Sequence, residues 1–269
     1  QFNRQSIFDY RVAPIQINYL GYPGTMGTKS FDYIIADKVL IPEENKKFYT
    51  EKVLYLPNSS IPYDDTKNIS NNTFNREQLG LPSDSFVFTC FNHITKISPK
   101  ELKIWMNLLL KVEKSVLWIV KPHESAIHKI LSEITNHGID KKRVVFAERM
   151  KLDDHLSRHS CGDLFLDTFN FNAATTANIA LSSGLPIITL LGNSYRSRIA
   201  ASILKDYSLD ELITHSASEY EELAYQLATD KEKYSYIHEK IRSKLDSLLF
   251  NSSKFTKNLE QLYTNLVKH

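Results

Sequence analysis

The chain has 269 residues, 42% hydrophobic and 24% charged, with a formal net charge of +2. That length suits one large domain or two smaller ones with ample apolar material for a core. The balanced charge and scattered basic residues argue against nucleic acid or a membrane surface as partner, and no segment reaches the ~18 apolar residues that cross a bilayer.

In chain order, short apolar runs come first. Residues 15–20 precede Gly21-Tyr22-Pro23-Gly24, residues 33–36 precede Asp37, and residues 52–56 precede Pro57-Asn58. Each reads as a strand with a brief connection. Residues 58–78 are polar and rich in Asn, Ser, Asp and Pro, the composition of a linker. From Phe86 the pattern is regular. Strand-like runs at 86–91, 115–120, 143–146, 163–166 and 186–191 alternate with helical stretches near 99–112 and 124–136, from Leu152, and from Thr175. Such alternation predicts βαβ units, an α/β fold with a parallel sheet covered on both faces. Residues 195–269 read as mostly helical, with a Tyr/Leu/Ile stripe against Lys and Glu. The division expected is 1–60, a linker at 61–79, and a Rossmann-like domain at 80–269.

Cys90 and Cys161 sit in or beside apolar runs without metal spacing, so they read as buried thiols of a reducing, cytoplasmic compartment. No signal peptide is visible, and the first residue is Gln1, which reads as a chain cut from something longer. The Asn-X-Ser/Thr triplets at Asn58, Asn68, Asn71 and Asn251 are then chance matches in an Asn-rich sequence.

An open parallel sheet binds ligands beyond the carboxyl ends of its strands, which selects the loops 91–98, 121–124, 147–155 and 167–176. In the last, an apolar run ends in a polar turn and Thr175-Thr176 opens a helical segment. Backbone N–H groups and two hydroxyls at a helix N-terminus suit a phosphate, and a Thr pair also serves as a simple cap. Lys96, just before a helix, is placed to neutralise a phosphate leaving group or to be a solvated loop lysine. His93 is a phosphate partner or a capping side chain. His155, on a first helical turn beside Asp153 and Asp154, stacks on a base, bonds a pyrophosphate or lies at the surface beside His159.

Other motifs fail. Gly21 to Ser30 has the wrong spacing for a P-loop and reads as a glycine turn that lets a ligand or backbone approach. His155 and His159 stand four apart, but Leu156 replaces the Glu of a zinc protease and no third ligand suggests itself. No serine-hydrolase elbow or dinucleotide glycine motif is present.

Taken in order, the motifs resemble the catalytic region of the O-linked N-acetylglucosamine transferase family (glycosyltransferase family 41) in its bacterial form. The marks are Ala13-Pro14-Ile15-Gln16, Leu20-Gly21-Tyr22-Pro23-Gly24-Thr25, residues 32–37 (DYIIAD), Phe91-Asn92, Lys96-Ile97, Val116-Leu117-Trp118, Asp154-His155, Leu166-Asp167-Thr168, Thr175-Thr176, Gly184-Leu185-Pro186 and Ser197-Arg198. The resemblance implies a GT-B fold with the nucleotide-sugar in the cleft between two Rossmann-like domains. It implies that Lys96 binds the diphosphate and stabilises the leaving UDP, and that Thr175 and Thr176 hold the diphosphate. His155 would lie against the nucleotide, the backbone around Met150 would meet the uracil edge, and His93 would stand near the phosphates. Leu20 and Gly21 would approach the sugar. The chemistry implied is inverting transfer of N-acetylglucosamine or a related hexose from a UDP-sugar to protein Ser or Thr, with no cofactor and no essential metal.

Two positions depart from the family pattern. Ala174 stands where a histidine is usual, and Ile179 where an acidic residue grips the ribose, with Asn178 turned roughly 100° away on a helix. The earlier part of the amino-terminal catalytic domain and the helical repeats that bind acceptor proteins have no match here. Two other readings follow: a degenerate nucleotide-binding or interaction module without catalysis, and a GT-B enzyme with a small-molecule acceptor.

Overall fold

The structure is a computed structural model that describes residues 4–64, 72–245 and 252–267. Asn68, Asn71 and Asn251 lie outside the described residues, as do residues 65–71 of the expected linker. Asn58 donates to Asp206 at 2.6 Å.

Two parallel sheets are present among the described residues. The smaller contains β1 (Ile17–Asn18), β2 (Tyr33–Ala36) and β3 (Lys52–Tyr55) in the order β1-β2-β3. β1 is shorter than the apolar run suggests. Pro14 offers no N–H ahead of it, and Leu20 turns the chain into the left-handed region at φ 64°.

The larger sheet orders its strands β6-β5-β4-β7-β8-β9. They are β4 (Phe86–Cys90), β5 (Ser115–Val120), β6 (Val144–Ala147), β7 (Leu164–Leu166), β8 (Ile187–Leu190) and β9 (Ile213–Thr214). β4 and β7 are buried along almost their whole length, as sheet strands covered on both faces must be. β9 falls in the stretch read as helical; two residues are too few to show a period of two.

The helices α1 (Pro99–Lys111), α2 (Glu124–Asn136), α3 (Leu152–Ser157), α4 (Thr175–Ser182) and α5 (Ile199–Asp206) connect the strands. α6 (Ala217–Thr229), α7 (Lys231–Leu245) and α8 (Ser252–Val267) follow. α1 starts at a Ser98/Glu101 capping box with proline at its first position and buries Ile104, Trp105 and Leu108. Core residues from both sheets form one continuous cluster, Ile34 and Ile41 joining Phe88, Trp118 and Phe165.

The two sheets meet at Asp37, which follows β2. Its carboxylate accepts from the N–H groups of Val39, Leu40 and Ser60 and from the hydroxyls of Ser60 and Ser202, all within 3.1 Å. Arg198 closes the same seam, donating to the carbonyls of Val39 at 2.5 Å and Gly192 at 2.7 Å. Beyond residue 71, Arg76 pairs with Asp163 at 2.7 Å and ties the end of the polar segment to the large sheet.

Candidate functional site

β4 and β7 are neighbours in the large sheet, but the order on their two sides runs in opposite directions. The loops after them diverge there and open a crevice. Side chains fasten one loop to the other. Asn92 Nδ2 donates to Asp167 Oδ1 at 3.0 Å and to Thr168 Oγ1 at 2.9 Å. The buried Glu101 accepts the Phe169 N–H at 2.7 Å. Asp167 also accepts from the Ala173 N–H and from Thr189 Oγ1, each at 2.7 Å. Burial raises the Asp167 carboxyl to about 6, against the lowering effect of these hydrogen bonds.

Lys96 is half-buried over this crevice. Its Nζ donates to the Asn172 carbonyl at 2.9 Å and stands 3.9 Å from the centre of the Phe171 ring. Burial lowers its pKa, and Asp167 and Cys90 pull it back toward the charged form. Among the described residues no carboxylate forms an ion pair with it. The result is a tethered ammonium with N–H groups to spare, suited to anionic oxygens.

Two residues past Asn172 the chain enters α4. Ala174 occupies its N-cap with φ −113° and ψ −91° and has no side chain to cap it. Thr175 is exposed and Thr176 half-buried. The first N–H groups of this eight-residue helix therefore have no side-chain cap, and they begin three residues after the carbonyl that holds Lys96. Asn178 turns away from this end and donates to the Pro62 carbonyl at 3.4 Å. Ile179 is buried in the same helix.

The β6 loop contributes Met150 and His155. Met150 is 37% exposed. The His155 ring lies 5.2 Å from Phe91 and 4.7 Å from the His159 ring. Arg158 Nε donates to His155 Nδ1 at 2.9 Å, and His159 Nδ1 meets the His155 carbonyl at 2.7 Å. Burial, with the Arg158 charge added, pushes His155 down to about 4; burial first and His155 second push His159 down to about 3.

Lys96 is thus joined to the segment that leads into Ala174, Thr175 and Thr176 through its bond to Asn172, and His155 packs on Phe91, where the Lys96 loop begins. His93 is exposed on the Lys96 loop, where its Nδ1 pairs with Thr95 Oγ1 at 2.8 Å and caps a 3-10 turn. Leu20 and Gly21 lie in the loop that follows β1 of the small sheet. Leu20 is 51% exposed, and a Cβ on Gly21 would meet only open space. Their loop is held from below by Glu51, which accepts from Thr25 Oγ1 at 2.6 Å and the Met26 N–H at 2.7 Å. No hydrogen bond joins Leu20 or Gly21 to the crevice among the described residues.

Asp167, Asn92, Glu101 and Arg158 organise this site and were not among the expected site residues. Asn92 and Asp167 have a signal in sequence, a polar residue directly after a strand-like run. Glu101 and Arg158 have none, since nothing local marks a glutamate near a helix start or an arginine near a helix end as buried. Among the described residues no three His, Cys, Asp or Glu side chains converge as a metal site. No described helix is long and apolar enough to cross a membrane. Both cysteines are free and buried. A small cavity of about 90 Å³ lies away from the crevice, at the seam between Asn58, Ile61, Tyr207 and Phe255.

The sequence profile of Glycosyl transferase family 41 matches residues 1–71 and 65–259. The chain is 33% identical over 267 residues to the Arabidopsis thaliana protein named probable UDP-N-acetylglucosamine–peptide N-acetylglucosaminyltransferase SEC, covering 97% of this chain and 27% of that protein. It is 31% identical over 269 residues to the corresponding protein SPINDLY of Solanum lycopersicum, covering 98% of this chain and 29% of that one. A mutant O-GlcNAc transferase of Thermobaculum terrenum superposes with a TM-score of 0.86 at 26% identity, over 95% of this chain and 49% of that one. Sucrose-phosphate synthase of Thermosynechococcus elongatus shares the fold alone, with a TM-score of 0.62 at 14% identity over 88% of this chain and 59% of that one. The chain therefore spans less than a third of the curated relatives. Its fold is that of the GT-B glycosyltransferases, as the resemblance implied.

Proposed function

The chain belongs to glycosyl transferase family 41, and from that premise we propose that it carries the donor-binding half of an inverting, UDP-sugar-dependent protein glycosyltransferase. The acceptor is a protein Ser or Thr hydroxyl, and the sugar N-acetylglucosamine or a related hexose. The enzyme is of the bacterial, cytoplasmic kind, and residues upstream of this chain, with helical repeats, complete the acceptor side. The boundaries we propose are 1–60 for the amino-terminal part, 61–79 for the connection and 80–269 for the donor domain.

The observation that carries this reading is the Lys96 ammonium, tethered at 2.9 Å to the Asn172 carbonyl beside the uncapped start of α4. A diphosphate in that crevice meets a cation on one side and helix N–H groups with the Thr175 and Thr176 hydroxyls on the other. As the sugar–phosphate bond breaks, charge accumulates on the leaving UDP, and Lys96 stabilises it without an essential metal. His155 and the backbone at Met150 meet the base, His93 stands at the phosphate edge, and Leu20 and Gly21 approach the sugar from the small sheet.

Calorimetric titration of UDP into this chain tests the reading. We expect binding, and at least a tenfold loss (about 1.4 kcal/mol) in Lys96→Ala. No binding, or binding indifferent to Lys96, overturns it. A degenerate, non-catalytic module is the second reading, favoured by Ala174 and Ile179. Because Ile179 is buried, an aspartate there carries a folding cost. Ala174→His alone is the cleaner restoration, and tighter UDP binding in that variant supports decay of the site.

A further inference from the structure

Arg158 is 3% exposed and has no carboxylate partner among the described ion pairs. A buried guanidinium without a counter-ion carries a large desolvation cost. Its surroundings offset part of that cost. The guanidinium carbon sits 4.8 Å from the Phe91 ring centre and 5.7 Å from that of Trp118, and NH1 donates to the Glu148 carbonyl at 2.6 Å. Burial pulls its pKa down to about 10, so it remains a cation at neutral pH. A second donor, Nε, is engaged by His155 Nδ1 at 2.9 Å.

That hydrogen bond has one chemical meaning. Arginine only donates, so His155 Nδ1 must be the bare, accepting nitrogen, and the ring proton of neutral His155 sits on Nε2. One helical turn on, the geometry reverses. His159 Nδ1 lies 2.7 Å from the His155 carbonyl, an acceptor only, so His159 carries its proton on Nδ1 and leaves a buried, unpartnered Nε2. Two imidazoles set edge to face, 4.7 Å apart, are thereby locked in opposite tautomers by heavy-atom geometry alone.

We propose that Arg158 is a positioning residue for the nucleotide-sugar: it locks His155 as an Nε2–H donor, ready for a carbonyl or phosphate oxygen of the bound nucleotide. The proposal rests on the reading of His155 as nucleotide-facing. Lys96 supplies the mobile charge on the phosphate side, and Arg158 sets the direction of a neutral donor on the base side. The other charged groups near the ring are Asp153 and Asp154 on α3, His159 on the following turn, and Glu148, whose side chain is engaged by Lys121 at 2.5 Å. None of these is bonded to the His155 ring nitrogens among the described residues. His155 is held neutral down to about pH 4 by burial and by the Arg158 charge. Donor binding through this group is then flat with pH across the physiological range, unlike that of an ordinary histidine titrating near 6.5.

Long-range ¹⁵N–¹H correlation spectra of the histidine-labelled wild-type chain at pH 7, without ligand, test the lock directly. Assignment comes from His155→Gln and His159→Gln. The expected result is protonation at Nε2 for His155 and at Nδ1 for His159. An Nδ1–H or averaged His155 overturns the proposal. The functional arm uses UDP-N-acetylglucosamine, whose phosphates do not titrate near neutrality, in Arg158→Met and Arg158→Lys. Arg158→Met should bind about tenfold more weakly, with a new pH dependence between 5 and 7 as His155 averages its tautomers and titrates. Arg158→Lys, retaining the charge without the planar Nε donor, should recover only part of the affinity. Unchanged affinity and a flat profile in a folded Arg158→Met variant overturn the positioning role. Opposite tautomers in a wild-type chain that binds no UDP overturn the nucleotide reading of the crevice instead, so the two failures are distinguishable.

Discussion

Two aspartates stand at equivalent places in the two sheets and do different work. Asp37 follows β2 of the small sheet and Asp167 follows β7 of the large one, and both are nearly inaccessible. Asp37 accepts five hydrogen bonds, one of them from Ser202 in α5, and so joins the sheets. Asp167 accepts four, from Asn92, Thr189 and the N–H groups of Thr168 and Ala173, all on the large sheet and its loops, and its pKa is raised to about 6 by burial. The same residue at the same kind of strand end builds a seam when surrounded by enough donors. With fewer, it fastens the loop after β7 to its neighbours, and burial raises its carboxyl.

Removing each aspartate tests that contrast most severely. Asp37→Ala strands five donors and should cost roughly 4 kcal/mol of unfolding free energy in urea, with the small sheet melting ahead of the large one. Asp167→Ala strands four donors but also relieves a costly buried charge, so roughly 2–3 kcal/mol is expected, together with loss of UDP binding as the 168–174 loop loosens. A larger loss at Asp167 than at Asp37 would mean that donor count is the wrong measure of the two sites.

The pH dependence of stability sharpens the comparison. His159 is neutral when folded and protonates near 6.5 when unfolded, so the unfolded chain binds more protons and stability falls as pH drops below 6.5. Between pH 6.5 and 5 this amounts to about 2 kcal/mol. Asp167 acts with the opposite sign: its folded pKa near 6 exceeds the unfolded value of about 3.9, so its contribution rises as pH falls from 6 toward 4. His159→Gln should therefore flatten the acid limb of a calorimetric Tm profile, and Asp167→Asn should steepen it.

The smallest effect expected is at Ser202. Its hydroxyl meets both Asp37 at 2.8 Å and Ser59 at 2.7 Å. Ser202→Ala should cost about 1 kcal/mol by equilibrium denaturation and leave UDP affinity unchanged, because among the described residues its hydroxyl bonds only Asp37 and Ser59.

Much of this was legible in order along the chain. Alternating apolar runs and helical periods located all five of the expected strands of the large sheet within two residues, because periodicity is a local property of the chain. The same signals singled out Lys96, Thr175, Thr176 and His155, each just past a strand-like run or at a helix start. β9 escaped for want of length, and β1 came out shorter between Pro14 and a left-handed Leu20.

What the sequence by itself determined is therefore the α/β alternation, where its loops fall, and the family. What only the tertiary structure decided is which of those loops meet. Lys96 finds a carbonyl 76 residues away, Asp37 a hydroxyl 165 residues away, and the strand order places β4 beside β7 rather than leaving them apart. Arg158 shows the limit from the other side. It stands only three residues from His155, yet its meaning depends on Phe91 and Trp118 closing over it. Local pattern encodes the turn and the period, but burial and the hydrogen bonds it makes obligatory are set by distant segments packing together.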